Sequence, residues 1–262
     1  ASLAFWGVSI ATLVAYALLL AGILAAIGSW TSPGIYQKAL ASREIRHSLM
    51  LSVASCGLAT LLSLWVATPT AYVLSRKNFR GKALVEILLD LPVVMPPLVM
   101  GLGLLLLFQT MPGRWVETSL GWRFTYTPAG VVLAQFAVAC AFAIRSLRAT
   151  FDEIPERTEQ VARTLGASDG QVFARVVMPA AKRGLFHAAA VAWARSLGEF
   201  GPILVFAGAT RMKTEVMPTT VFLELSIGNL ETAAAVSVLL LLAAAVVLLA
   251  LRWLDGREAR RS

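Results

Sequence analysis

Arg195 and Glu199 stand four residues apart within a stretch, 185 to 208, that is otherwise apolar enough to cross a bilayer. Four residues is close to one helical turn, so the two share a face and can pair, which lowers the cost of holding each charge in hydrocarbon. Charges at that depth are candidates for function. Two readings stay open: a structural ion pair that locks helices together, or a role on a pathway through the membrane. Gly198 and Gly201, followed by Pro202, would loosen the helix at the same level and admit a close neighbour, which suits a gate or a bend. A second candidate lies at 90 to 101, DLPVVMPPLVMG, where Asp90, Pro92, Pro96 and Pro97 interrupt an apolar run. The prolines make either a static kink or unwound backbone lining a gate, since broken helix at depth is tolerated where it is buried in protein or faces water.

The usual hydrolytic constellations are missing. A phosphate-binding loop needs a Gly-rich turn followed by Gly-Lys-Ser/Thr, and the nearest string, GATRMKT at 208 to 214, lacks the second Gly. The two histidines are far apart, there is no HExxH or GxSxG, and Cys56 and Cys140 have no metal spacing, so both read as small packing residues. No catalytic residue, metal ligand or cofactor site is assigned. ATP hydrolysis, if coupled to this chain, belongs to another one. Asp152, Glu153 and Glu156 with nearby arginines keep a membrane enzyme acting on lipid headgroups as a rival, although they also read as a solvated helix start.

The third candidate is polar: residues 159 to 179, EQVARTLGASDGQVFARVVMP. Helix formers run to Leu165, Gly166 interrupts them, Ser168 and Asp169 can cap a second helix, and Pro179 closes the unit. Val161, Leu165, Val172, Phe173 and Val176 offer an apolar side for a partner's groove, or for the headgroups of the bilayer.

The elements that position these residues are membrane helices. The chain has 262 residues, 58% hydrophobic and only 15% charged, with mean hydropathy +0.73. About 20 apolar residues cross a bilayer as a helix. Charge-poor runs at 3–28, 47–75, 84–110, 127–145, 185–208 and 232–251 give six expected spans, an all-α polytopic membrane protein of one domain over 1–262. Span three, with Glu86, Asp90 and its prolines, is the one expected to break. The tail after Trp253, LDGREARRS, reads as frayed. Span one lacks a basic flank and a convincing cleavage site, and is kept as a span rather than a signal peptide.

Lys and Arg favour cytoplasmic loops. Fifteen of them fall in loops 2–3 and 4–5 and the tail, against seven in the other loops, so both termini are expected in the cytoplasm. The net charge of +8 and pI near 10.1 do not point to nucleic acid, because the basic residues flank apolar spans; anionic lipid headgroups are the simpler partner.

The 159–179 segment resembles the cytoplasmic loop of ATP-binding-cassette importer permeases, whose pattern is EAA, three residues, Gly, nine residues, Ile-x-Leu-Pro. It stands here as Gln160-Val161-Ala162, Gly166 and Val176-Val177-Met178-Pro179, with the Glu one place early at Glu159. ARSLGEFGP at 194 to 202 and the proline-rich string at 90 to 101, with Gly101, resemble the molybdate, tungstate and sulfate branch of that family. The resemblance implies a type I importer fold with a transport core at about 47–251 and a coupling loop at about 150–184. It implies a permease subunit that imports a tetrahedral oxyanion, molybdate or tungstate first and sulfate or thiosulfate as the alternative. A secondary carrier is the remaining transport rival. Implied partners are a second copy, two ATPase subunits holding ATP and Mg, and an external solute-binding protein, in a bacterial or archaeal inner membrane. Glu159, Gln160, Ala162, Leu165, Gly166, Ala167, Asp169, Phe173 and Pro179 would then meet the ATPase. Asp90, Pro92, Pro96, Pro97, Arg195, Gly198, Glu199 and Gly201 would line the path or gate.

Overall fold

The computed structural model describes residues 2–259, and every regular element among them is helical. Arg260 and Arg261, two of the expected cytoplasmic charges, lie outside the described residues. In chain order the helices are α1 (Ser2–Ser29), α2 (Pro33–Ala41), α3 (Arg43–Arg76), α4 (Lys82–Val94), α5 (Pro97–Gln109), α6 (Met111–Leu120) and α7 (Pro128–Glu153). There follow α8 (Glu156–Thr164), α9 (Asp169–Val172), a π-helical stretch at Phe173–Val177, α10 (Met178–Ala180), α11 (Lys182–Leu197), α12 (Gly201–Phe206), α13 (Met217–Ser226) and α14 (Leu230–Ala259).

Of the six expected spans, four occur as single helices long and apolar enough to cross a membrane, at Phe5–Ser29, Arg43–Arg76, Pro128–Glu153 and Leu230–Ala250. The third divides into α4 and α5, bent by 115°, which counts as one broken span or as a re-entrant loop. The segment 185–208 is also divided: α11 stops at Leu197 and α12 begins at Gly201, so 16 helical residues precede the break. The tail expected to fray is helical through Ala259, because Leu254, Arg257, Glu258 and Ala259 are good helix formers around a single Gly256.

The centre of the molecule is the pair α3 and α7, which share the most extensive contact. Ser42 caps α3 by accepting from the Ile45 N–H, and Thr127 caps α7 by accepting from the Gly130 N–H. The buried residues of α3 include Ser48, Ser52, Ser55, Ala59, Ser63, Ala67 and Ala71, a stripe at three- and four-residue spacing. Such small side chains let a second backbone come close in a membrane, where dispersion and packing replace the hydrophobic drive between helices. Ala134, Val138, Ala139 and Ala143 of α7 belong to the same buried interior.

At 34 residues α3 is about 50 Å long, at about 1.5 Å per residue, so its ends mark two faces. At one, Arg211 donates to Glu44 of α3 and to Glu224 of α13, and Glu224 also accepts from Asn229. At the other, the last turn of α3 meets the 156–180 segment. α1, α5 and α14 expose many large apolar side chains, the kind of surface that lipid covers.

Candidate coupling and translocation sites

The polar segment folds as the Gly and Ser spacing predicts. Gly166 has φ +89°, a region that costs most residues strain, and ends α8 in a Schellman turn. There the Gly166 N–H donates to Arg163 O at 2.9 Å and the Ala167 N–H to Ala162 O at 3.1 Å. Ser168 then opens α9 with a capping box: its Oγ accepts from the Gln171 N–H, and Gln171 Oε1 accepts from the Ser168 N–H. Arg163 Nε donates to Asp169 Oδ1 at 2.8 Å across the turn. This hydrogen bond and the charge behind it hold the Asp169 carboxyl below the usual aspartate range, and the same bond raises Arg163. Pro179 does not close the unit as expected. It follows directly on the π-helical stretch, inside α10, and the chain stays helical until a break at Ala181.

The expected docking residues divide into two groups. Gln160, Val161 and Leu165 are exposed, Leu165 to 83%, and Gly166 and Asp169 lie beside them at the surface. Ala162 and Ala167 are half-buried at the turn, and Phe173 is half-buried too. Val172 and Val177 are fully buried. The apolar side offered outward is therefore Val161 and Leu165 rather than the whole set.

Glu159 points inward and is 1% exposed. Its Oε1 accepts from Arg76 Nε at 2.6 Å, and its Oε2 accepts from the Tyr72 hydroxyl at 2.8 Å and from Arg163 Nη2 at 3.4 Å. Arg76 Nη2 also donates to Ile154 O at 2.8 Å, and Arg76 Nη1 to Ser75 Oγ, which donates to Asp152. The Tyr72 ring stacks edge-on with Phe151 and tilts against Phe173, with centroids 5.7 and 4.8 Å apart. Tyr72, Ser75 and Arg76 were not visible as site residues in the sequence: they precede Glu159 by more than 80 positions, and no local spacing links them. Nearby, Arg148 pairs with Glu86 of α4 at 2.9 Å, so α4 is tied to the same face.

At mid-depth the expected ion pair is present. Arg195 Nη2 lies 2.6 Å from Glu199 Oε1, and the guanidinium carbon is 4.7 Å from the centre of the Phe142 ring. The partners differ in environment: the Glu199 side chain is 3% exposed and that of Arg195 is 42% exposed. A charge so exposed does not suit a lipid-facing surface, and the Phe142 ring beneath it also lines an α7–α11 cleft with Arg145, Arg183 and His187.

The remaining candidates meet in one crossing. The bend between α4 and α5 falls at Met95 and Pro96, both extended, so Pro92 lies within α4 and Pro97 opens α5. Gly201 of α12 packs directly on Pro97: a Cβ built there would lie 2.8 Å from Pro97 Cβ. Gly101 of α5 is equally close to Pro202, whose Cα would be 2.8 Å from the added atom. Gly198 makes no such approach and serves only to end α11. Asp90 is apart from this crossing, in a cleft with Glu86, Arg145 and Arg148.

The chain is similar to known proteins. The molybdenum transport permease ModB of Mycobacterium tuberculosis is 36% identical over 204 residues, covering 77% of this chain and 76% of that protein. The molybdate/tungstate permease WtpB of Pyrococcus abyssi is 33% identical over 218 residues, 83% of this chain and 80% of the relative. The sulfate permease CysT of Escherichia coli is 29% identical over 235 residues, 89% and 83%. Among solved structures, a bacterial alginate ABC transporter in complex with its periplasmic protein superposes with TM-score 0.76 over 97% of this chain and 94% of the other, at 15% identity, a likeness of fold. The family described as binding-protein-dependent transport system inner membrane component matches residues 59–260, and with these relatives it establishes that the chain is a multi-pass membrane protein of that family.

Proposed function

We propose that this chain is the membrane subunit of an ATP-driven importer for a tetrahedral oxyanion, with molybdate or tungstate as the substrate. The observation that carries the reading is the identity of 36% and 33% to ModB and WtpB over more than three quarters of the chain, coupled with the helix–turn–helix at 156–180. Sulfate is the second reading, favoured by the longer match to CysT. The chain acts as a single transmembrane domain without catalysis of its own. ATP and Mg belong to two ATPase subunits that seat on Val161, Leu165 and their surroundings, and an external binding protein delivers the anion. A second copy completes the path, since two-fold closure is the commonest way for one chain to enclose a channel.

The segment's face is the cytoplasmic one, in a bacterial or archaeal inner membrane. α14 starts beside Asn229 and Glu224 at the opposite face, and α3 starts there at Glu44, which supports both termini lying on the cytoplasmic side. In this account closure of the ATPases displaces α8 and α9, the α5–α12 crossing opens or shuts, and Arg195 meets the anion between its encounters with Glu199.

The test is uptake of labelled molybdate, tungstate and sulfate into vesicles that hold the chain with its ATPase and binding protein. ATP-dependent uptake of molybdate or tungstate in preference to sulfate is expected. Preference for sulfate would move the second reading to the front, and uptake driven by an ion gradient without ATP would make the chain a secondary carrier.

A further inference from the structure

The 156–180 segment is joined to the rest of the chain through α7 and α11, yet its one fully buried charge, Glu159, is held by α3. Every partner that Tyr72 and Arg76 find there belongs to another element or to their own turn. Tyr72 reaches Glu159 of α8, Phe151 of α7 and Phe173 of the π stretch; Arg76 reaches Glu159 and the Ile154 carbonyl that ends α7. Both oxygens of the Glu159 carboxylate accept from these donors, and its burial keeps it from an outside partner.

We infer that Tyr72 and Arg76 are positioning residues that clamp the coupling segment to α3, so that its displacement is carried into α3 as one rigid unit. The inference rests on the importer reading, and it reassigns Glu159 from a residue that meets the ATPase to one that holds the segment from within. The physical reason is leverage. A segment tied at two covalent ends alone can rock between them, whereas a third tie, made of charge-assisted bonds between nearly buried side chains, removes that freedom. α3 in turn packs along the length of α7 and reaches the opposite face at Glu44, so it can carry a displacement across the membrane.

Val73 and Glu156 line the same cleft beside the clamp, one on α3 and one on α8, and allow a direct test. In the permease alone, Arg76→Gln should speed amide exchange of α8 by about tenfold or more, the effect of losing bonds to a charged group. In the whole complex the same variant should lower anion uptake per ATP hydrolysed by about fivefold or more. Arg76→Lys should recover part of the loss. A short thiol cross-linker joining Val73→Cys to Glu156→Cys should restore the ratio in Arg76→Gln and leave it unchanged in a wild-type background.

Cross-linking that stops wild-type uptake until the linker is cleaved would show that the segment must slide over α3, and would overturn the clamp. Exchange of α8 unchanged in Arg76→Gln would overturn it too. A parent complex that moves no oxyanion would refute the importer reading, while α8 exchange would still decide the clamp.

Discussion

At the level of single residues, surroundings decide what each charge can do. Arg195 keeps 42% of its side chain exposed while touching Glu199 and Phe142, and its Nε is buried without a partner. It is half satisfied, as suits a group that exchanges one anion for another. Arg195→Ala is therefore expected to lower uptake several-fold while the assembled complex is still recovered; uptake at the parent level would remove Arg195 from the path. Gly201 is fixed by packing instead. Gly201→Leu would drive side-chain atoms into Pro97 and Leu98, an overpacking strain of about 1–3 kcal/mol or more, read as a lower thermal midpoint in detergent. An unchanged midpoint would mean that α5 and α12 can separate freely. The i, i+4 spacing made the Arg195–Glu199 pair legible in the sequence, although only Arg195 lies on α11 and Glu199 falls in the break just after it. The role of Glu159 was not legible. Its position one place before the expected motif gave no direction, and the donors that turn it inward lie on α3.

Among the elements, the break at Met95 and Pro96 matters most. Three prolines in twelve residues announced a broken span, but the 115° turn needs the Gly101–Pro202 and Gly201–Pro97 contacts to hold it, and those join segments a hundred residues apart. Val94 is exposed beside the turn. A cysteine at Val94 should label at different rates in the resting and ATP-trapped complex if the crossing is a gate, and at equal rates if the bend is static. The coupling turn was more legible, since Gly166 and Ser168 act on their immediate neighbours. Its Arg163–Asp169 link has a defined pH dependence. A carboxyl held below its unfolded value of about 3.9 contributes fully above that value and loses the contribution as pH falls through the lower folded one. Amide protection at Gly166 and Ala167, corrected for intrinsic rates, should hold steady from neutral pH down to about pH 5 and weaken only below about pH 4. Asp169→Asn should weaken it at every pH.

For the whole molecule, two polar faces are separated by apolar surface. One carries Glu44, Arg211, Glu224 and Asn229, and the other carries the coupling segment, the Glu159 site and the Arg148–Glu86 pair. Composition alone gave this division, because charge-poor runs of sufficient length have few other uses. It did not give the number of uninterrupted crossings, since proline and glycine break two of the six runs and the breaks are stabilised by partners remote in sequence. The central claim is that motion of the 156–180 segment, driven by ATP on other subunits, moves an oxyanion through this chain. Gly166→Pro tests it most directly: φ +89° is closed to proline, and the Gly166 N–H that ends α8 would be lost. In vesicles holding the intact complex, ATP-dependent molybdate uptake should disappear in the variant. Uptake at the parent rate in Gly166→Pro, or uptake that persists without ATP in the parent, would contradict the account.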